Sequence, residues 1–331
     1  MKNKSWLLVA AFAVLAVILA ACGGGDDKAA DDKDKGTDGE KPKFLSLLTG
    51  GTSGTYYPLG GGIAKIIVDE TGIQTDALSS NASADNIMAL RDGQAELAFA
   101  QTDVATYAHE GINAFEGDKI EDVVALGSLY PETVQIITTE KSGIQSVEDL
   151  KGKKVSVGAP GSGAYINAEQ ILELHGLSMD DIQAQKLDFG ESAGGIKDGN
   201  IDAAFITAGT PTGAVEELQA TADVVVVPIA KEKVDELVEK YPYYAPETIP
   251  AGTYGLKEEV DTVAVLAMLV VREDVPEDVV YDITKALYEN ADDIAHDKAK
   301  FIKKEDALNG IGIPVHPGAQ KYYDEVGVKA E

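Results

Sequence analysis

One pattern occurs twice in this chain, and it leaves few folds open. The first copy starts with the apolar run Phe44–Thr49, followed by GGTSGTYYPLGGGIAKIIVDETG. Gly50 to Gly54 form a loop, and behind it Leu59, Ile63, Ile66 and Ile67 recur at helical spacing. A polar stretch then leads to Ser80–Ser83 ahead of a second helix, to Gly93 at its end, and to a buried strand over Ala95–Ala100. The pattern returns 109 residues on, measured from Gly54 to Gly163. A strand over Lys153–Ala159 runs into the loop PGSG, which opens a helix; a second helix and a strand over Ile201–Ile206 follow. RDGQAELAF at Arg91–Phe99 stands against KDGNIDAAF at Lys197–Phe205, and the interval from glycine loop to Asp-Gly is 39 residues in one copy and 36 in the other. Strands and helices alternating in this order predict an α/β fold of two Rossmann-like lobes.

The duplication has a mechanical consequence. In open α/β sheets, ligands sit beyond the carboxyl ends of the strands, where loops meet helix N-termini. Two facing lobes bring four such loops around one cleft: Gly51–Tyr56, Ser79–Asn81, Gly161–Gly163 and Thr207–Thr210. The long apolar runs Val123–Thr139 and Val263–Val271 are the candidate hinge strands, and closure of two lobes about a hinge is a known mode of ligand capture. The expected division is a first lobe over 44–135, a second over 136–254, and a return to the first over 255–331. Glu277–His296 and Lys300–Leu308 read as amphipathic helices against a lobe.

Composition narrows the partners. Among 331 residues, 56 acids oppose 28 bases, for a formal charge of -28. Nucleic acid is excluded as a partner, since phosphate binding needs a cationic stripe, and docking on anionic headgroups is disfavoured. A single cysteine excludes a disulfide framework and a thiolate zinc site. Four scattered histidines, His109, His175, His296 and His316, read as surface residues and offer no metal site. Only two arginines occur, Arg91 and Arg272, so guanidinium clamps have little to work with. Arg91 reads as a helix-end residue complementing the dipole. Tyr241, Tyr243, Tyr244 and Tyr254 read as loop packing.

The N-terminus points outside the cytoplasm. Lys2 and Lys4 precede sixteen apolar residues, Trp6–Ala21, a length that suits a secretory h-region and falls short of the roughly 20 residues of a spanning helix. The run ends in Leu19-Ala20-Ala21-Cys22, which resembles the lipobox of bacterial lipoproteins. Residues 1–21 are then a leader, and lipid on Cys22 anchors the chain to the outer face of a membrane. Residues 22–43, a Gly/Asp/Lys tract without a large apolar side chain, read as a disordered tether.

The glycine loops match neither the P-loop pattern nor a dinucleotide fingerprint. What remains is capture of an anion such as a carboxylate by helix N-termini and hydroxyls. Gly190-Glu191-Ser192-Ala193-Gly194 matches the G-x-S-x-G of esterases, with His296 and His316 in order to complete a triad. An exported serine hydrolase is therefore the alternative function. Against it stand a polar preceding run, Gln183–Phe189, no HGGG-type loop, and alignment of the stretch with Asn81–Asp85 of the first copy.

GGTSGTYYPLGGGIAKII, RDGQAELAFAQTD, DLKGKKVSVGAPGSG, KDGNIDAAFITAGTP, IPAGTY and VPEDVVYDITKAL resemble the TAXI solute-binding proteins, the extracytoplasmic receptors of one branch of tripartite ATP-independent periplasmic (TRAP) transporters. The resemblance covers Phe44–Glu331. It implies a type II periplasmic-binding-protein fold, no catalysis, no cofactor, and a monomer that delivers a small organic anion or amino acid, such as glutamate, glutamine or 2-oxoglutarate, to a membrane permease. By position it implies ligand contacts from Thr52, Ser53, Gly54, Thr55 and Tyr56, from Asn81, from Gln101 and Asp103, from Gly161, Ser162 and Gly163, and from Thr207 and Thr210. Asp103 suits either a ligand ammonium group or a helix cap, and capping is the favoured reading.

Overall fold

The computed structural model describes residues 41–329, so the leader, Cys22 and the tether up to residue 40 lie outside the described residues. The first repeat folds as β1 (Phe44–Leu48), α1 (Tyr56–Thr71), β2 (Gln74–Leu78), α2 (Ser83–Arg91) and β3 (Leu97–Gln101). The spacing that predicted α1 is the spacing it buries: Leu59 and Ile63 have no exposed surface, nor has Ile67. After α3 (Thr102–Glu110) comes β4 (Val123–Thr139), and then the second repeat: β5 (Lys154–Ser156), α4 (Gly163–Leu174), β6 (Gln183–Gln185), α5 (Phe189–Lys197) and β7 (Ala203–Ala208). The chain continues through α6 (Gly213–Gln219), β8 (Val224–Val227), α7 (Lys231–Lys240), β9 (Ala245–Ile249), β10 (Val260–Arg272), α8 (Glu277–Asn290) and α9 (Pro317–Val326).

The sheet makes the repeat visible. Its order is β2-β1-β3-β10-β4-β7-β5-β6, with β8 on β4 and β9 on β10. The first repeat contributes its second, first and third strands from one edge inward, in parallel, and the second repeat does the same from the other edge. Gly93 and Gly199 take equivalent left-handed conformations, with φ of 70° and 73°, just past α2 and α5; a side chain would be strained at both turns. Two such units joined through a pair of long central strands form a type II periplasmic-binding-protein-like fold with two lobes.

Four apolar clusters cover the two faces of each lobe. In the first lobe α1, α8 and α9 pack on one face, through Leu59, Ile283 and Tyr322, and α2 and α3 on the other, through Ile87 and Val104. In the second, α4 and α7 pack through Ile171 and Leu237, opposite α5 and α6 with Ile196 and Val215. Because helices cover both faces, β4 and β10 can be apolar almost throughout. Both strands cross from lobe to lobe, pairing with each other in antiparallel register from Ala264↔Thr133 to Arg272↔Val123. Val134 and Val263 belong to a second-lobe cluster, while Leu129 and Ala267 belong to the first. We therefore place the crossings mid-strand, near Pro131 and Leu266, since a continuous strand can join both cores. Pro131 opposes Leu266, and the register shifts between Leu266 and Met268; such an irregularity is where a central strand tolerates proline.

The segment Lys300–Leu308 departs from the sequence reading. After α8 the chain makes short 3₁₀ turns over Ala291–Asp293, Asp297–Phe301 and Lys304–Asp306. Ile302 and Ala307 are both buried while Phe301 stays 40% exposed, so the segment bends around the first-lobe core where a straight helix would leave it. His316 also departs from its expected place at the surface. It is 2% exposed, with Nδ1 accepting from Gly318 N–H and Nε2 3.0 Å from the Val275 carbonyl, and burial lowers its pKa below the usual histidine value. Among the described residues, no helix is long and apolar enough to cross a membrane.

Candidate ligand-binding site

The loops at the carboxyl ends of both repeats converge on one pocket at the crossing strands. Its lining includes Gly54, Thr55, Tyr56, Asn81 and Gln101 from the first lobe, with Ser162, Gly163 and Thr207 from the second. The cavity enclosed between these walls is small, about 50 Å³. The other expected contacts lie outside the lining. Thr52 is exposed. Ser53 and Gly161 act through their carbonyls, Asp103 is buried behind the pocket, and the Thr210 hydroxyl is buried without a partner.

The loops are held from beneath. Asn86, in α2, donates to the carbonyls of Thr49 and Phe99 at 2.8 Å each, tying the ends of β1 and β3 together. On the second lobe, Tyr254 donates to Gln135 Oε1 at 2.6 Å and Gln135 Nε2 donates to Thr212 at 3.0 Å, which fixes the loop after β7.

Each lobe also caps helices of the other. The Gly161 carbonyl accepts from Ala84 and Asp85 N–H at 3.0 and 3.2 Å, and the Ser53 carbonyl accepts from Ala214 N–H at 3.1 Å. These donors belong to the first turns of α2 and α6, which lack acceptors within their own helices. Thr55 Oγ1 donates across the cleft to the Gly209 carbonyl at 3.3 Å. Two α2 amides, Ala84 and Asp85, are thus already engaged, and the first-turn residues whose amides remain at the pocket by helix geometry are Gly163 and Ala164 in α4, Tyr56 in α1, Ser83 in α2 and Phe189 in α5. The Ser162 hydroxyl caps its own helix, accepting from Tyr165 N–H at 3.2 Å.

A second polar chain joins α3 to α4 behind the pocket. Asn167 Nδ2 donates to Asp103 Oδ2 at 3.1 Å and lies 2.7 Å from Tyr244 Oη. Tyr244 donates to Gln170 Oε1 at 2.7 Å, and Gln170 Nε2 donates to Tyr107 Oη at 3.0 Å. Asp103 and Asn167 have no exposed surface. Burial raises the Asp103 pKa to about 6, against the hydrogen bonds it accepts. Asp103 is therefore a cross-lobe tie, the second residue of α3, whose N-cap is Gln101.

The residue that sequence reasoning missed is Glu132. It stands in β4 beside Pro131, 2% exposed, in the lining of the pocket. Tyr56 donates to its Oε2 at 2.9 Å and Tyr130 lies 3.4 Å from its Oε1, and the Tyr56 ring stacks on Phe99 with centroids 4.7 Å apart. Burial lifts the Glu132 pKa to about 8, although Tyr56, Gln101 and Tyr130 stabilise its charge. The signal was in view: Glu132 is the one charged residue in a largely apolar seventeen-residue strand, next to its one proline. Asp188 and Phe189 also line the pocket; they lead into α5 as Ser80–Ser83 lead into α2, so the repeat could have found them.

The electrostatic balance is lopsided. Glu132 and Asp188 are the charged types among the lining residues, and neither arginine is there. Arg91 pairs with Asp92 and Asp118, and Arg272 with Asp274. Gln101 Oε1 and Thr207 Oγ1 line the pocket and are buried without partners.

The esterase reading fails on geometry. Ser192 lies within α5, 1% exposed, and is no nucleophile elbow. Its hydroxyl donates to the Asp188 carbonyl at 2.6 Å and lies 2.7 Å from Ser156 Oγ, while His296 and His316 cap other segments.

Fold and pocket together define the class: a two-lobed protein with a periplasmic-binding-protein-like fold and a pocket at its crossing strands. The chain belongs to the NMT1-like family, whose pattern matches residues 47–327. Its fold is similar to that of the alkanesulfonate-binding protein SsuA of Xanthomonas axonopodis pv. citri bound to MOPS, at 17% identity over 86% of this chain and 85% of that one, with a TM-score of 0.52. PhnD1 of Prochlorococcus marinus in complex with methylphosphonate is similar at 10% identity, over 87% and 98% of the two chains, with a TM-score of 0.52. A structure described as a periplasmic transporter matches at 14% identity, over 87% and 94%, with a TM-score of 0.54.

Proposed function

We propose that this chain is an extracytoplasmic solute receptor, lipid-anchored through Cys22, that captures a small organic acid or amino acid and delivers it to a TRAP permease of the TAXI branch. The observation that carries the binding role is the pocket itself: two buried polar atoms without partners, Gln101 Oε1 on the first lobe and Thr207 Oγ1 on the second, belong to residues lining the same cavity. Buried polar groups are normally paired, so a ligand is the natural partner. Fold neighbours bound to MOPS and to methylphosphonate support a ligand-binding role. The TRAP assignment rests on the sequence resemblance. Among the described residues no lysine or arginine lines the pocket, which disfavours sulfonate or phosphonate ligands here, because strongly anionic groups are usually met by cationic donors.

Thermal-shift screening of the soluble body against organic acids and amino acids tests the receptor role. A ligand at 100 times its dissociation constant should stabilise the fold by about 2.7 kcal/mol; no stabilisation by any such compound refutes it. Uptake driven by an ion gradient without ATP, in vesicles carrying the permease, tests the TRAP assignment. Cys22→Ser should release the protein from membranes, and normal retention would refute the anchor.

A further inference from the structure

We propose that Glu132 is the specificity-determining residue of the pocket: it receives the ammonium group of an amino acid, so the receptor takes the zwitterion and rejects the 2-oxo acid of the same skeleton. This deepens the receptor reading and rests on it.

The argument is an inventory of donors and acceptors. Each carboxylate oxygen of Glu132 has room for two hydrogen bonds; Tyr56 and Tyr130 supply one neighbour apiece and the Gln101 carboxamide a third, which leaves one place open. Beside it, Gln101 Oε1 is buried with no donor at all. The pocket floor therefore has acceptors to spare, and among the described residues no lysine or arginine lines it to use them. An ammonium group brings three N–H donors and a positive charge to that floor. The carbonyl of a 2-oxo acid brings only lone pairs, and a second carboxylate brings a negative charge that gains nothing from ionising Glu132. The zwitterion's own carboxylate finds donors at the opposite wall, where the Gly163 and Ala164 amides open α4.

Proton bookkeeping gives an independent readout. Burial holds the Glu132 pKa at about 8 in the empty pocket, so the carboxyl is protonated at neutral pH. Arrival of an ammonium group favours the carboxylate, and the proton leaves to solvent. The titratable groups facing Glu132 are Tyr56 from α1, Tyr130 on its own strand and Asp103 from α3, while its β10 partner is the apolar Val265. Burial raises both phenols, so they stay protonated donors. Asp103 titrates near 6 and is controlled by Asp103→Asn. Amino-acid affinity should accordingly rise by about ninefold from pH 6 to 7 and about fivefold from pH 7 to 8, and at pH 7 about 0.9 proton should leave per ligand bound.

The experiment is calorimetric titration with matched pairs: L-glutamate and 2-oxoglutarate, L-alanine and pyruvate, L-leucine and 4-methyl-2-oxopentanoate. The preferred amino acid should bind wild type more tightly than its 2-oxo partner. Glu132→Gln should lower that affinity by about tenfold to a hundredfold, the worth of one charged hydrogen bond, and narrow or reverse the preference. Proton release, read on wild type alone in buffers of different ionisation enthalpy, keeps the test valid if Glu132→Gln folds poorly. A 2-oxo acid bound as tightly as its amino acid, unchanged amino-acid affinity in Glu132→Gln, or binding without proton release each overturns the role of Glu132 and leaves the receptor reading standing. Binding of neither class by wild type overturns both.

Discussion

Gly163→Ala tests how the two lobes meet. Gly163 is the first residue of α4 on the second lobe, and its Cα faces the side chain of Gln101, where β3 ends on the first. A Cβ built there overlaps the Gln101 carboxamide oxygen and carbon and lies 2.9 Å from Nε2. Gln101 is 2% exposed and shares the pocket with Glu132, so it has little room to swing away. Forcing a methyl into such a contact costs about 1–3 kcal/mol. The two residues belong to different lobes, so the penalty falls on bringing the lobes together and spares the folding of each. At 1.4 kcal/mol per factor of ten, ligand affinity should fall by about fivefold to a hundredfold. Calorimetry gives the dissociation constant, and thermal unfolding without ligand shows whether each lobe is intact. Gly61→Ala, where a Cβ meets nothing within 4 Å, is the control and should bind like wild type. Unchanged affinity in Gly163→Ala would refute the reasoning. So would a fall in unliganded stability matching the loss of binding, since the clash would then not belong to closure.

Three further outcomes follow from the same contacts. Asn167→Ala removes the donor to Asp103 and leaves a buried carboxyl without it, a cost of about 1–3 kcal/mol in the closed form; affinity should fall, with small-angle scattering showing lobes further apart at a given ligand concentration, and an unchanged dissociation constant would sink the tie. Ser192→Ala loses the hydrogen bonds to Ser156 and the Asp188 carbonyl and should lower stability by about 1 kcal/mol without altering the rate of p-nitrophenyl ester hydrolysis, whereas an activity lost with this hydroxyl would restore the hydrolase. Because the folded-state pKa of Glu132 is raised, its contribution to stability is present below the unfolded carboxylate range near 4.5 and is lost as pH rises toward and through about 8. Glu132→Gln should therefore gain thermal stability relative to wild type at pH 8 more than at pH 4, and a parallel pH profile for the two proteins would contradict the burial argument.

Local pattern determined much of this protein. Helical spacing located α1, and a long, largely apolar run located β4 over Val123–Thr139, the same bounds in sequence and structure. Both signals are periodicities written in consecutive residues, and the repeated Asp-Gly turns fixed the two lobes because their left-handed glycines are local requirements. Eight of the expected ligand contacts line the pocket, since loops at strand ends follow from the repeat alone. Tertiary structure decided what those loops do. Ser53 and Gly161 became caps for helices of the opposite lobe, and Asp103 became a tie to Asn167, because which amide meets which carbonyl depends on how two separate cores approach. Lys300–Leu308 lost its helix to the need to wrap the first-lobe core. Glu132 was visible as a charge within an apolar strand, but its meaning was not: only the crossing of β4 between lobes puts that carboxyl under Tyr56, 76 residues earlier in the chain, and out of water. Spacing along a chain encodes which face a residue takes; the depth of a charge, and so its chemistry, is set by everything packed around it.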